Sequence, residues 1–366
     1  MSVATRELRR RPGRFAFVGI ALALLSTLLL LLGGLLDGLV LGSTGAFRAQ
    51  DAPVFVYSAD AQDSFLRSRI TPAERDQIAA APGVTGTAGL GLTLDAGRLE
   101  GTTGTDSLLD LAVMGYEQGT NVLPAPPGPG EAYADAALQD DGVTEGSTIL
   151  VGLGEIPVRV VGFVDDTSYL LQPALWVDLD TWRQVQTASR PDAAVADGVV
   201  QVVLVDGTGT PESLVTAVDD ATGGATSSLT RDEAIFSLPG TAEQNATFTA
   251  LIGTTIFVVG LITSLFFILL TVERRSLYAA MKALGVGTGA LVRWSMLQAL
   301  LVAGTAFVLG GLVTLGLAQA LAGQIPLLLE PTRAVVTFVL LLATAAIGSL
   351  IPLRRIIRID PASAIS

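Results

Sequence analysis

The chain has 366 residues, of which 50% are hydrophobic and only 15% are charged, and its formal net charge is −12. Such an apolar composition excludes an ordinary soluble protein and indicates a membrane protein. Because the sequence contains no Cys and no His, it also excludes disulfides, cysteine nucleophiles, histidine-dependent triads and the usual zinc sites.

The chain opens with a basic segment, residues 1–14, which Pro12 and Gly13 interrupt. This segment is either an elbow that lies on an anionic inner leaflet or only a topology signal. The apolar run that follows, residues 15–41, is too long for the core of a cleaved signal peptide and predicts a first transmembrane helix. Within it, Gly34 and Gly38 form a small-xxx-small pair, which predicts the close approach of another helix.

Residues 42–247 have the composition of a soluble domain and hold 29 acidic residues and 9 arginines, which accounts for the negative balance of the whole chain. Short β-branched runs at 156–164 and 199–206 predict strands. Thr71, Pro72 and Glu74 predict a capped helix start. The Pro-rich run at 124–130 predicts a loop. The region is therefore expected to be an α+β domain with a solvated acidic surface and no metal site.

Three further apolar runs predict transmembrane helices at 248–272, 294–322 and 334–353. Basic residues cluster in the N-terminal segment, in the stretch 273–293 and in the tail 354–366. The positive-inside rule then places both termini and 273–293 in the cytoplasm, and the domain 42–247 and the loop 323–333 outside. The fold class predicted is a membrane protein of four transmembrane helices, with one large extracytoplasmic α+β domain inserted between helices 1 and 2.

The only lysine, Lys282, stands between Met281 and Ala283, so the chain contains no phosphate-binding P-loop and is not itself an ATPase. In the stretch 273–293, Leu277, Met281 and Leu284 recur at helical spacing and predict one apolar helix face. Gly285 and the glycines after it predict the end of that helix. A short cytoplasmic helix of this kind either docks in a groove of a partner protein or re-enters the membrane facing lipid.

Two motifs now resemble those of a known family. "ERRSLYAAMKALGVGTGALVRWSMLQALLVA" is similar to the region after the second helix in MacB/FtsX-type (type VII) ABC transporter permeases, and "PLRRIIRIDPASAIS" is similar to that family's ending, with Asp360, Pro361 and Ala364 in its Asp-Pro-x-x-Ala motif. The runs around residues 51–70 and 158–182 look most like the HrtB haem-exporter and DevC-type permeases.

The resemblance implies a non-catalytic permease of the cell membrane that works as a homodimer with two ATPase subunits of the MacB/LolD/HrtA type. ATP and Mg²⁺ would bind to the partner ATPase, the chain itself would hold no cofactor or metal, and its other contacts would be with lipid and not with nucleic acid. Mechanotransmission would couple the subunits. The expected ATPase-coupling residues are Glu273, Arg274, Arg275, Leu277, Met281, Lys282, Leu284 and Gly285.

Two functions remain open at this point. One is the export of haem or another hydrophobic or amphipathic compound from the membrane. The alternative is an FtsX-like transducer that activates an extracytoplasmic cell-wall hydrolase. For an exporter, Asp37 either reaches the headgroup region or faces a cavity between subunits as a cargo ligand, with Phe266 and Phe267 as apolar walls. Gly34 and Gly38 are the expected dimer contacts.

Overall fold

The computed structural model describes residues 12–104, 107–117, 122–273, 280–282, 284–321 and 325–350. These residues divide into two compact units. The first holds the described residues up to Gly38 and from Gln244 onward, and the second spans Leu39–Glu243.

Long apolar helices at both ends of the described chain flank a run of strands and shorter helices. The chain begins with α1 (Pro12–Arg48), β1 (Val54–Ser58), α2 (Pro72–Ala79), β2 (Val84–Leu99), β3 (Leu108–Tyr116), β4 (Glu131–Asp135), β5 (Thr148–Val151), β6 (Ile156–Val164) and β7 (Ala174–Asp178). It continues with α3 (Leu179–Ser189), β8 (Val202–Gly207), α4 (Pro211–Ala221), β9 (Thr226–Thr230), α5 (Arg231–Phe236), α6 (Thr241–Glu273), α7 (Thr288–Ala320) and α8 (Pro331–Leu350). Short 3₁₀ turns lie at Ala59–Ala61, Ala136–Gln139 and Pro191–Ala193.

Four helices, α1, α6, α7 and α8, are long and apolar enough to cross a membrane. Their bounds differ from the predicted spans, most clearly where α1 continues to Arg48 instead of ending at 41 and α6 begins at Thr241 instead of 248. Hydropathy marks the part of a helix that suits hydrocarbon, whereas backbone hydrogen bonding continues as far as the chain can pair its own N–H and C=O groups.

In the first unit the helices approach closely at small residues. A Cβ on Gly310 of α7 would lie 2.7 Å from the carbonyl oxygen of Ala23 in α1, and Thr27 donates a hydrogen bond to the Gly310 carbonyl at 3.2 Å. Likewise, a Cβ on Gly348 of α8 would lie 3.0 Å from the Ser264 hydroxyl of α6. Close packing and hydroxyl contacts of this kind hold helices together where burial from water cannot.

The second unit is built on a split βαβ pair. Strands β1, β2, β8 and β9 lie in the order β2-β8-β1-β9 with antiparallel neighbours, and helices α2 and α4 contact each other. This is the strand order of a ferredoxin-like arrangement. Val56, Ile78, Val205 and Leu214 belong to the buried cluster of this part.

The remaining strands are inserted between β2 and β8 and form a closed ring. The 16-residue strand β2 leaves β8 near Leu90 and then pairs with both β3 and β5, so that the order β3-β7-β4-β6-β5-β2 returns to β3. We call this ring the barrel. A closed ring leaves none of its six strands with a free edge.

Local sequence signals in this unit agree with the structure. Thr71 and Glu74 form a reciprocal capping box with Pro72 in the first turn of α2. The run at 156–164 is strand β6, and 124–130 forms a loop between β3 and β4. The predicted strand at 199–206 begins later, at Val202, because Val200 instead forms an isolated bridge with Ile70.

The end of α1 is buried in the aromatic core of the second unit. Phe47 is fully buried, and its ring centroid lies 4.9 Å from that of Phe55 and 5.7 Å from that of Tyr169. Burial raises the pKa of Tyr169, and burial together with the nearby Tyr169 raises the pKa of Tyr57. Both phenols therefore stay neutral inside this core.

Helix α3 packs against the barrel through one indole ring. Gly91 of β2 and Gly115 of β3 are direct cross-strand partners, and a Cβ on Gly91 would lie 2.5 Å from Cζ2 of Trp182. The fully buried Trp182 donates its indole N–H to the Thr93 hydroxyl at 3.0 Å. The two glycines thus leave the space that the indole fills.

Gly91→Ala is expected to destabilise the second unit by about 1–3 kcal/mol, because the added methyl overpacks the Trp182 ring. Gly86→Ala on the same strand is the matched control, since its Cβ would meet only ordinary contacts at 3.8 Å. Pulse proteolysis of the full-length chain in urea measures both. Equal midpoints for the two variants would contradict the packing described.

Candidate functional site

The candidate coupling segment lies between α6 and α7. Glu273 is exposed at the end of α6, and Ala280–Lys282 are helical, with Lys282 half-buried. Arg274, Arg275 and Leu277 lie outside the described residues, as does the tail with Asp360, Pro361 and Ala364. The structure therefore describes Glu273, Met281, Lys282, Leu284 and Gly285 of the predicted coupling set.

The short helix at 280–282 ends in a Schellman motif. Gly285 has a left-handed backbone with φ +87, its N–H donates to the Lys282 carbonyl at 3.0 Å, and the Val286 N–H donates to the Met281 carbonyl at 3.0 Å. Met281 and Val286 both pack against the buried Leu291. Gly285 thus ends the helix, and Gly287 is the N-cap of α7.

The two described residues of the predicted apolar face have different surroundings. Met281 packs with Val286 and Trp294 around the buried Leu291, whereas the Leu284 side chain is 85% exposed. The helical spacing from Met281 to Leu284 does not place them together, because Leu284 already belongs to the turn that ends the helix. Of these two residues, Leu284 is therefore the exposed one, and Met281 is packed against Leu291.

A cavity of about 580 Å³ lies on the first turns of α7. Its lining includes the cation Arg293, the aromatic ring of Trp294 and the small residues Gly289 and Ala290. The segment therefore combines an exposed leucine, a recess and a positive charge, which suits the docking of an apolar and acidic surface.

A second candidate site lies on the outer part of α1 within the first unit. A Cβ on Gly38 would lie 2.5 Å from the carbonyl carbon of Pro326, and a Cβ on Gly34 would lie 3.0 Å from the Leu328 carbonyl oxygen. The Leu328 N–H donates to the Gly34 carbonyl at 3.0 Å. We call residues 325–330 the outer segment.

These contacts correct the predicted role of Gly34 and Gly38 as dimer contacts. Small residues do permit a close approach here, but the approaching backbone is the outer segment of the same chain. The glycine face of α1 is consequently occupied within one copy and is not open to the same face of another.

Asp37 lies on α1 between these glycines and is paired. Its carboxylate accepts a hydrogen bond from Arg333 Nε at 2.5 Å, and its side chain is only 10% exposed. A carboxylate already held by a guanidinium is a weak candidate for ligating iron or a cationic cargo. The sequence missed this partner because Arg333 was placed in a loop; Pro331 at the start of α8 was the signal that the arginine stands on a helix.

Phe266 and Phe267 are adjacent on α6, with their rings 5.3 Å apart and nearly perpendicular. Phe267 is 2% exposed and belongs to the core of the helical unit, and Phe266 packs against that core. Phe267 therefore holds the helices together and does not line a cavity. Three exposed apolar residues of α6, Phe257, Leu261 and Leu265, instead border a groove of about 640 Å³ between α6 and α8.

The described residues contain no group of Asp and Glu side chains arranged to hold a metal ion.

The last part of the chain, which includes most of α6, the candidate coupling segment, α7 and α8, matches one family model. Residues 249–361 match the FtsX-like permease C-terminal family. Uncharacterized ABC transporter permeases of Mycobacterium tuberculosis and Mycobacterium bovis are 25% identical to this chain over 377 aligned positions, covering 99% of this chain and 98% of each relative.

Two solved structures also resemble part of the chain. The periplasmic region of MacB from Actinobacillus actinomycetemcomitans matches with a TM-score of 0.35 and 14% identity, covering 51% of this chain and 92% of that one. The extracellular domain of the noncanonic ABC-type transporter YknZ from Gram-positive bacteria matches with a TM-score of 0.33 and 13% identity, covering 49% and 98% respectively.

Gly38→Ala is expected to displace the outer segment, because its methyl group would overlap the Pro326 carbonyl. In this cysteine-free chain, a single Leu329→Cys reports the displacement by maleimide labelling, which should become several-fold faster, of the order expected when about 1 kcal/mol of packing is lost. Gly19→Ala on the same helix is the control, since its Cβ meets nothing within 4 Å. Unchanged labelling in Gly38→Ala would refute the contact.

Proposed function

We propose that this chain, which carries an FtsX-like permease C-terminal domain in residues 249–361, is the membrane subunit of an ABC exporter that removes haem or another hydrophobic or amphipathic compound from the membrane. A separate ATPase supplies the energy, and the present chain is not catalytic. The observation that supports the proposal is the turn that ends the helix at Gly285, in which Leu284 is exposed inside the region that matches the family.

The Schellman motif makes this turn suitable for coupling. Its two backbone hydrogen bonds, together with the packing of Met281 and Val286 against Leu291, hold Leu284 in a fixed position before α7. Binding that uses a preorganised turn costs less conformational entropy than binding by a flexible loop. A push on Leu284 would therefore move α7.

The proposed unit contains two copies of this chain and two ATPases. Since the outer segment covers the glycine face of α1, the exposed face of α6 with Phe257, Leu261 and Leu265 is the better candidate to face the second copy and the cargo path. An apolar groove at this face suits a hydrophobic compound better than an ion.

Leu284→Asp is expected to abolish co-purification of the proposed ATPase partner, because a charge placed in an apolar groove costs several kcal/mol when it is buried. Leu153→Asp is the matched control, since Leu153 is also 85% exposed but lies in the second unit. An unchanged yield of ATPase with Leu284→Asp would refute the docking assignment.

The cargo is tested by spectral titration of the purified chain with haem. We expect a saturable Soret shift in the wild type and the same affinity in Asp37→Ala, because Arg333 already holds this carboxylate. A lower affinity in Asp37→Ala would make Asp37 a cargo ligand after all. The absence of a saturable Soret shift would exclude haem as the cargo. If the activity of a cell-wall hydrolase depended on the chain, that result would favour the FtsX-like transducer.

A further inference from the structure

The loop between β6 and β7, residues 165–173, lies against the last turns of α1 within the second unit, and we call it the clasp loop. Its backbone bonds directly to the helix backbone. The N–H groups of Leu170 and Leu171 donate to the carbonyls of Ser43 and Gly42 at 3.1 and 3.0 Å, and the Ala46 N–H donates to the Ser168 carbonyl at 3.0 Å. These three hydrogen bonds join the backbone of the clasp loop to the backbone of the helix and fix the register of the two segments.

Two side-chain features bring the helix and the loop together. Arg48 pairs with Asp166 through two parallel hydrogen bonds of 2.8 and 2.7 Å. Gly45 leaves the necessary space, since a Cβ there would lie 2.7 Å from the Asp166 carbonyl oxygen. The two-pronged geometry adds directional specificity to the contact.

The opposite side of the clasp loop is fastened to the barrel by one buried carboxylate. Asp135, at the end of β4, is 3% exposed and accepts hydrogen bonds of 2.8 Å from both the N–H and the hydroxyl of Thr167. It also accepts from the Ala137 N–H at 2.9 Å and from the Ser168 hydroxyl at 3.4 Å. Losing one partner of such a buried charged group is costly.

The backbone of the clasp loop is strained. Asp166, Leu170 and Leu171 have φ angles of 56, 50 and 67, in the left-handed region that residues with a Cβ rarely occupy. Leu171 is also 46% exposed, so its own burial does not account for the conformation. Strain of this kind persists only where the surrounding contacts impose it, and it tends to mark positions that work in a mechanism.

We propose that the clasp loop couples α1 to the barrel, so that movement of the last turns of α1 passes through Thr167 and Asp135 to strands β4, β6 and β7. The use of this movement for export rests on the proposed function; the coupling itself is a property of the second unit. Asp135 acts as a positioning residue, and the strained loop acts as the joint between helix and barrel.

The coupling is tested by hydrogen–deuterium exchange of the full-length chain in lipid nanodiscs. Asp135→Asn keeps the size of the side chain but removes its charge, and amides at 42–48 on the helix should exchange about tenfold faster, as expected for the loss of a hydrogen-bonded buried charge. Because coupling is reciprocal, Arg48→Ala on the helix should accelerate exchange at the ends of β6 and β7.

A matched pair of surface variants keeps the test decisive if Asp135→Asn fails to fold. Asp166 and Glu155 are both non-glycine residues with positive φ, and each forms an ion pair with an arginine, with side chains 61% and 58% exposed. Asp166→Ala should accelerate exchange at 42–48 by a few-fold, in line with the modest strength of an exposed ion pair, and Glu155→Ala should not.

The proposal is overturned if exchange rises at 165–173 but stays at the wild-type rate at 42–48, or if Glu155→Ala has the same effect as Asp166→Ala. No ATPase is present in this experiment. A wild-type chain that never co-purifies an ATPase would therefore refute the proposed function and leave the result on the clasp loop standing.

Discussion

Much of the structure depends on one face of α1 that is formed by glycines. Gly34, Gly38, Gly42 and Gly45 follow one another at helical spacing, the first two in one unit and the last two in the other. In both units a non-helical segment of the chain uses this face in the same way: the Leu328 N–H donates to the Gly34 carbonyl, and the Leu171 N–H donates to the Gly42 carbonyl. At these glycines, the missing Cβ leaves the space that the incoming segment occupies.

Beside each of these backbone contacts, a charged residue of α1 forms an ion pair with a residue of another element. Asp37 pairs with Arg333 beside the outer segment, and Arg48 pairs with Asp166 beside the clasp loop. Backbone bonds on a glycine face have little sequence specificity, whereas an oriented charge pair selects one register. The combination lets one long helix hold two different segments in defined positions, which a helix joining two units requires.

The sequence predicted those features that depend on near neighbours in the chain. Hydropathy identified four helices, and the Thr71 and Glu74 signal gave a helix start with its capping box. Long-range partners were not predictable in the same way. Gly34 and Gly38 indicated a close approach without identifying the segment that approaches, and the partner of Asp37 lies 296 residues away. The prediction of one face for Met281 and Leu284 extended the helical periodicity too far. The helix already ends in the turn at Gly285.

The turn at 280–286 and the clasp loop are built on the same principle, although they lie in different units. In each, a residue with positive φ reverses the chain: Gly285 without strain, and Leu170 and Leu171 with it. The difference fits their surroundings. The turn next to α7 needs only to hold Leu284 outward, and glycine does this at little cost, whereas the clasp loop is held on two sides by Asp135 and Arg48. The strained clasp loop is held on two sides, and it changes conformation when either side moves. The unstrained turn at Gly285 keeps its shape. The first property suits a joint, and the second suits a surface that keeps one shape.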